Sequence, residues 1–151
     1  MPLTPNFRLG PSPLAVAIFE TSLKRCEARP DFLDVFYEKF LASSPEVAEK
    51  FAGTDFARQK EALRASFHHL LLVARNPKQG PDPYLEEIAV RHGTGHLAIG
   101  AHLYDLWLDS LLDTVRACDP ECFPEVEAAW EEVMMVGIHY LCANYEGRRG
   151  R

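Results

Sequence analysis

The sequence predicts an all-α fold, and three observations carry that prediction. Apolar residues recur at helical spacing through most of the chain. The periodic segments are bounded by Ser-Pro pairs, aspartates and glycines placed as helix starts and stops. No pair of segments alternates as two strands would, and no internal repeat is visible.

Residues 1–13 hold four prolines, a glycine and no sustained period, and are expected to form an irregular arm. Ser12 can cap a first helix opened by Pro13, with Leu14, Ile18, Leu23 and Cys26 on its buried side. Pro30 turns the chain, and Asp31 can cap a second helix whose Leu33, Tyr37, Phe40 and Leu41 share a face. Ser44 and Pro45 start a short helical turn through Val47 and Ala48 to Phe51, and Gly53 ends it. Asp55 can cap a long helix reaching about Arg75, where Asn76 and Pro77 open the loop NPKQGPDP. The next helix carries His92 and is closed by Gly93 and Gly95. A sixth runs from about Ala101 to Ala117, broken by Asp119 and Pro120. Pro124 opens the last, reaching about Tyr145, with Val126, Trp130, Val133, Met134, Gly137, Ile138 and Leu141 on its apolar side. That makes seven helices of unequal length in one domain of about 14–145, followed by a basic tail at 146–151.

At 151 residues the chain has room for one core and no second domain. Its net charge of −6 leaves no phosphate-tracking face, since the basic residues cluster only at Arg148, Arg149 and Arg151, so no nucleic-acid partner is expected. The longest uncharged apolar run, Leu70 to Ala74, cannot span a bilayer, and no basic segment followed by an apolar one opens the sequence. A cytoplasmic protein without membrane association is expected. Cys26, Cys118, Cys122 and Cys142 form no CxxC pair and read as buried or incidental thiols.

His92 follows Leu85, Ile88 and Ala89 at spacings of seven, four and three, so its imidazole lies on an apolar stripe. Two readings fit that placement. One is a core histidine satisfied by a local hydrogen bond. The other is a neutral imidazole offered to a metal, its second nitrogen held by a backbone carbonyl. On the long helix Gln59, Leu63, Ser66, Phe67 and Leu70 fall within about 100° of arc, one lining face.

The segments FYEKFLASSPEVAEKF, ARQKEAL, LEEIAVRH and LYDLW come in the order, and at nearly the spacing, of bacterial single-domain globins. The chain resembles that family and the globin half of flavohaemoglobins over about residues 14 to 145. The resemblance implies a three-over-three globin fold with no clear D helix and a haem b (iron protoporphyrin IX) cofactor. By alignment His92 is the iron ligand, Phe51 the wedge against the porphyrin, Tyr37 the distal tyrosine and Gln59 the distal polar residue of the long helix. Leu63, Phe67 and Ile88 join the haem contacts; His96 or Arg91 would meet a propionate; Ile99, Tyr104, Trp107, Met134 and Ile138 would pack on the proximal side.

The implied function is reversible binding of dioxygen and other diatomic gases. Nitric oxide dioxygenation would need an external reductase, because the chain ends at Arg151 without a reductase half. Gas sensing or signalling is the alternative, and a haem-free interaction module a third reading. A monomer or a homodimer is compatible with all of these. His68 is expected to face away from the pocket and His69 to lie about 80° to one side of Gln59, a poor competitor for iron. In flavohaemoglobins the tyrosine matching Tyr104 is joined by a glutamate of the last helix. That position falls on Tyr145, with Glu146 next to it, so a weaker proximal push and slow peroxide chemistry are expected.

Overall fold

The computed structural model describes residues 10–76, 82–93 and 99–144. Within them lie seven α-helices and no strand: α1 (Pro13–Glu27), α2 (Phe32–Ala42), α3 (Pro45–Lys50), α4 (Phe56–Arg75), α5 (Pro83–His92), α6 (Ala101–Cys118) and α7 (Pro124–Ala143). His96, Tyr145, Glu146 and the basic tail lie outside the described residues, as does most of the N-terminal arm.

Local chemistry sets most boundaries. Ser12 accepts a hydrogen bond from the Ala15 amide, Ser44 from Glu46, and Asp55 from Ala57 and Arg58, each relieving an amide that the first helical turn leaves unpaired. Proline follows the capping position in α1, α3, α5 and α7, where its missing N–H costs nothing. Gly53, at φ +78°, supplies the left-handed turn that leads from α3 directly toward α4.

Two expected features differ. Asp31 does not cap α2; its backbone (ψ 8°) is not extended as a capping residue's is, and its carboxylate is held by the Arg29 guanidinium at 3.0 and 3.1 Å. Leu14 is 70% exposed, and the buried face of α1 is formed by Ala15, Val16, Phe19, Ser22, Leu23 and Cys26. The reason is Trp130 on α7: the Phe19 ring meets its indole edge-on at 4.7 Å, which rotates α1 so that Leu14 turns outward.

The helices stack as a three-over-three sandwich, with α1, α4 and α5 against α2, α6 and α7. Trp130 is fully buried at its centre, with Phe67 at 5.5 Å and Phe32 at 6.2 Å besides Phe19. Its indole N–H donates to Ser22 Oγ (2.8 Å), and Ser22 donates to Asp119 Oδ2 (2.6 Å). Asp119 also accepts from Arg25 Nε (2.5 Å), Arg25 Nη2 (2.9 Å) and the Glu121 amide (2.8 Å). This buried carboxylate ties α1 to the α6–α7 corner with every oxygen partnered, the condition under which a charge can be interior. Gly137 lets α7 approach α4, since a Cβ there would lie 3.2 Å from Leu70 Cδ2. No described helix is long and apolar enough to cross a membrane, and all four cysteines are free thiols.

Candidate functional site

α5 places His92 at its last residue, with the ring half-buried. Nδ1 lies 2.9 Å from the Ile88 carbonyl one turn back. A carbonyl can only accept, so the proton is on Nδ1, and Nε2 of the neutral ring keeps its lone pair. Burial pushes the imidazole below the usual histidine value; the Ile88 carbonyl opposes that shift, and the charge of Arg91 adds to it. The His92 carbonyl in turn accepts from the Ile99 amide at 2.9 Å, which pins the chain on both sides of residues 94–98. Tyr104, buried on α6, stacks at 6.4 Å and 22° to the imidazole.

Tyr37 is buried on α2 inside an aromatic box of Phe36 (4.9 Å), Phe56 (5.4 Å) and Phe51 (6.0 Å), with Phe40 stacked on Phe36 and edge-on to Phe51. Burial pushes its phenol up and hydrogen bonding with Gln59 offsets part of that rise, leaving it at about 12. The phenol therefore keeps its proton throughout the physiological range. Gln59, half-buried in the first turn of α4, is thus a polar neighbour of Tyr37.

The remaining expected residues divide. Leu63 is buried on α4, Met134 and Ile138 on α7, and Trp107 is half-buried with its ring 6.0 Å from Phe36. Ile88 is half-buried and acts on His92 through its carbonyl. Phe67 is buried, but its ring packs on Trp130 and Phe32 rather than beside Tyr37. Arg91 is exposed and pairs with Glu87. Neither other histidine of the long helix has a free Nε2: His68 is held by Glu27 at 3.0 Å, and His69 by Asp82 at 2.9 and 3.0 Å with its ring 4.3 Å from Tyr84.

Three contributions escaped the sequence reading. Phe56 opens α4, where an apolar residue behind the Asp55 cap could have been read as facing back toward α2. Asp82 accepts from the Tyr84 and Leu85 amides, a cap followed by proline like Ser12–Pro13 but hidden in the loop NPKQGPDP. Tyr140 of α7 donates to Glu86 of α5 at 2.6 Å, a pairing across 54 residues that no local pattern announces.

A crystal structure from Pseudomonas aeruginosa PAO1, of a protein described as structurally highly homologous to a human hemoglobin, superposes on this chain with a TM-score of 0.81. The two are 41% identical, and the match covers 88% of this chain and 98% of that one. No family model and no curated protein matches. Helix order, the three-over-three stacking and identity at this level across nearly the whole neighbour lead to one assignment: the chain belongs to the globin family.

Proposed function

We propose that the protein is a haem-binding globin that holds dioxygen reversibly, with His92 as iron ligand and Tyr37 and Gln59 as donors to the bound gas. The observation that carries this reading is the His92 Nδ1–H bond to the Ile88 carbonyl, which leaves Nε2 in the form a metal takes. This arrangement fits a haem b, which would supply a redox-active iron able to bind a diatomic gas. Leu63, Ile88, Ile99, Tyr104, Trp107, Met134 and Ile138 would line its apolar faces, and Phe51 would wedge beside Tyr37.

The chain's own part is orientation and electrostatics. The phenol of Tyr37 remains a donor, the Gln59 amide adds a second, and Phe51 and Phe56 keep water from competing with either. A gas that takes on negative charge gains from both donors, which favours dioxygen over carbon monoxide. Nitric oxide dioxygenation is the turnover such a pocket supports, and an external reductase would have to sustain it.

The test is the absorption spectrum of protein supplied with haem, in ferric, ferrous and dioxygen-exposed samples. A strong Soret band that disappears in His92→Ala is expected, and a spectrum unchanged by that substitution refutes the assignment. Nitrate formed catalytically from nitric oxide with a surrogate reductase is expected for dioxygenation; a single stoichiometric reaction would shift the reading to gas sensing.

A further inference from the structure

The helix that presents His92 is short and thinly buried. α5 has ten residues, below the length at which a helix stands alone in water, and only Leu85 and Ala89 of its residues are buried. It packs against α7, but apolar contact is non-directional and leaves rotation and height loosely set. Directional contacts must supply the remainder.

Two such contacts run to α4, and both start at the N-terminal end of α5. Asp82 caps α5 through the Tyr84 and Leu85 amides, and the same carboxylate is gripped by His69 of α4. The Tyr84 hydroxyl lies 3.0 Å from Ser66 Oγ, and Ser66 Oγ lies 3.1 Å from the Ala62 carbonyl. Ser66 has one proton and gives it to Ala62, so the Tyr84 O–H donates to Ser66. The Tyr84 ring also leans on the His69 imidazole at 4.3 Å, which joins the two contacts into one unit. Glu86, held by Tyr140, secures the α7 side.

We propose that Tyr84, Ser66, His69 and Asp82 form a clamp of positioning residues that sets α5, and with it His92, against the α4 face bearing Gln59 and Leu63. The role at iron rests on the haem-binding reading above; the clamp itself rests on these contacts. None of the four touches His92 or Tyr37 in the contacts described, so the clamp acts through the placement of α5.

Tyr84→Phe keeps the ring on His69 and deletes one O–H; Ser66→Ala deletes its acceptor; Ser66→Thr restores a hydroxyl. His68→Ala, which breaks a similar but unrelated pair with Glu27, is the control. In ferrous holoprotein, Tyr84→Phe and Ser66→Ala should each shift the iron–histidine stretching band and change the dioxygen dissociation rate about fivefold, as one lost hydrogen bond does. The double variant should do no more than either single one, because both remove the same bond. Ser66→Thr and His68→Ala should match the parent protein. In haem-free protein, amide exchange within α5 should speed up about fivefold in Tyr84→Phe. If the Soret band persists and depends on His92 but band and rate do not move in either variant, the clamp is overturned and the haem reading survives. If the parent protein takes up no haem, that reading falls, and unchanged α5 exchange in Tyr84→Phe would then overturn the clamp as well.

Discussion

Asp119→Asn tests the buried network that joins α1 to the α6–α7 corner. The substitution keeps the side-chain shape but removes a charge that accepts from Ser22, from two nitrogens of Arg25 and from the Glu121 amide. Breaking a buried ion pair by removing one partner typically costs about 3–5 kcal/mol. The Asp119 side chain is fully buried, but that of Arg25 is 23% exposed and can recover part of its hydration, so about 2–4 kcal/mol is expected. For a chain of this size that corresponds to a fall in Tm of about 5–15 °C.

Acid dependence gives a second readout. Burial pushes the Asp119 carboxyl up, but the hydrogen bonds from Arg25, Ser22 and the Glu121 amide outweigh it and hold the folded value below the ordinary one. A group depressed on folding contributes fully above its unfolded pKa, about 3.9 for aspartate, and its contribution is lost as pH falls through the folded value. The gap between parent and variant should therefore be constant near neutrality and shrink below about pH 4. Urea titrations followed by circular dichroism, at neutral pH and in steps to pH 2, measure both. A neutral-pH loss below about 1 kcal/mol, or a gap that widens on acidification, refutes the account of Asp119 as an ion-paired strut.

The proposed role of Tyr37 and Gln59 as donors to bound gas makes its own prediction: Tyr37→Phe or Gln59→Leu should accelerate dioxygen release by a factor of about 5 to 150 in stopped-flow displacement, the equivalent of one hydrogen bond in a dry pocket. With the Tyr37 phenol pushed up to about 12, that rate should be flat from pH 6 to 9, and a break in that interval would show that another group controls release. Gly137→Val should destabilise by about 1–3 kcal/mol, because its Cβ alone already presses Leu70 at 3.2 Å. Adding Leu70→Ala should cost less in the Gly137→Val background than in the parent, measured as a double-mutant cycle by thermal unfolding.

Most of the fold was legible because its punctuation is local. Ser12–Pro13, Ser44–Pro45 and Asp55 each start a helix where the backbone chemistry says one can start, and the apolar face of α7 follows from a single period. Where the apolar period leaves a helix some freedom to rotate, the partner element decides. The pattern of α1 brings Leu23 and Cys26 inside as expected, but Trp130, over a hundred residues away, draws in Phe19 and turns Leu14 outward. Asp119 does end α6 as its sequence position implies, but its second role as a buried ion-paired carboxylate is hidden from local pattern because its partners Ser22 and Arg25 lie 97 and 94 residues upstream. At the site, the His92–Ile88 bond is an i to i−4 contact and could be anticipated, and Tyr37 does meet Gln59. The ties from Asp82, Tyr84 and Glu86 to neighbouring helices could not, since each joins residues whose proximity the tertiary fold alone creates.

The bond from His92 to Ile88 has donor and acceptor on the same helix. The direction of the ring is therefore set first in the frame of α5, with the stacked Tyr104 of α6 as its contact to the surrounding bundle. If α5 tilts or slides, the imidazole travels with it as part of one lever, keeping its bearing while its distance to everything across the pocket changes. A mechanical signal in this molecule would then be carried by translation of a helix, with no rotation of the side chain at its tip. In the opposite sense, a force applied at Nε2 reaches the backbone of the last turn of α5 through the Ile88 carbonyl.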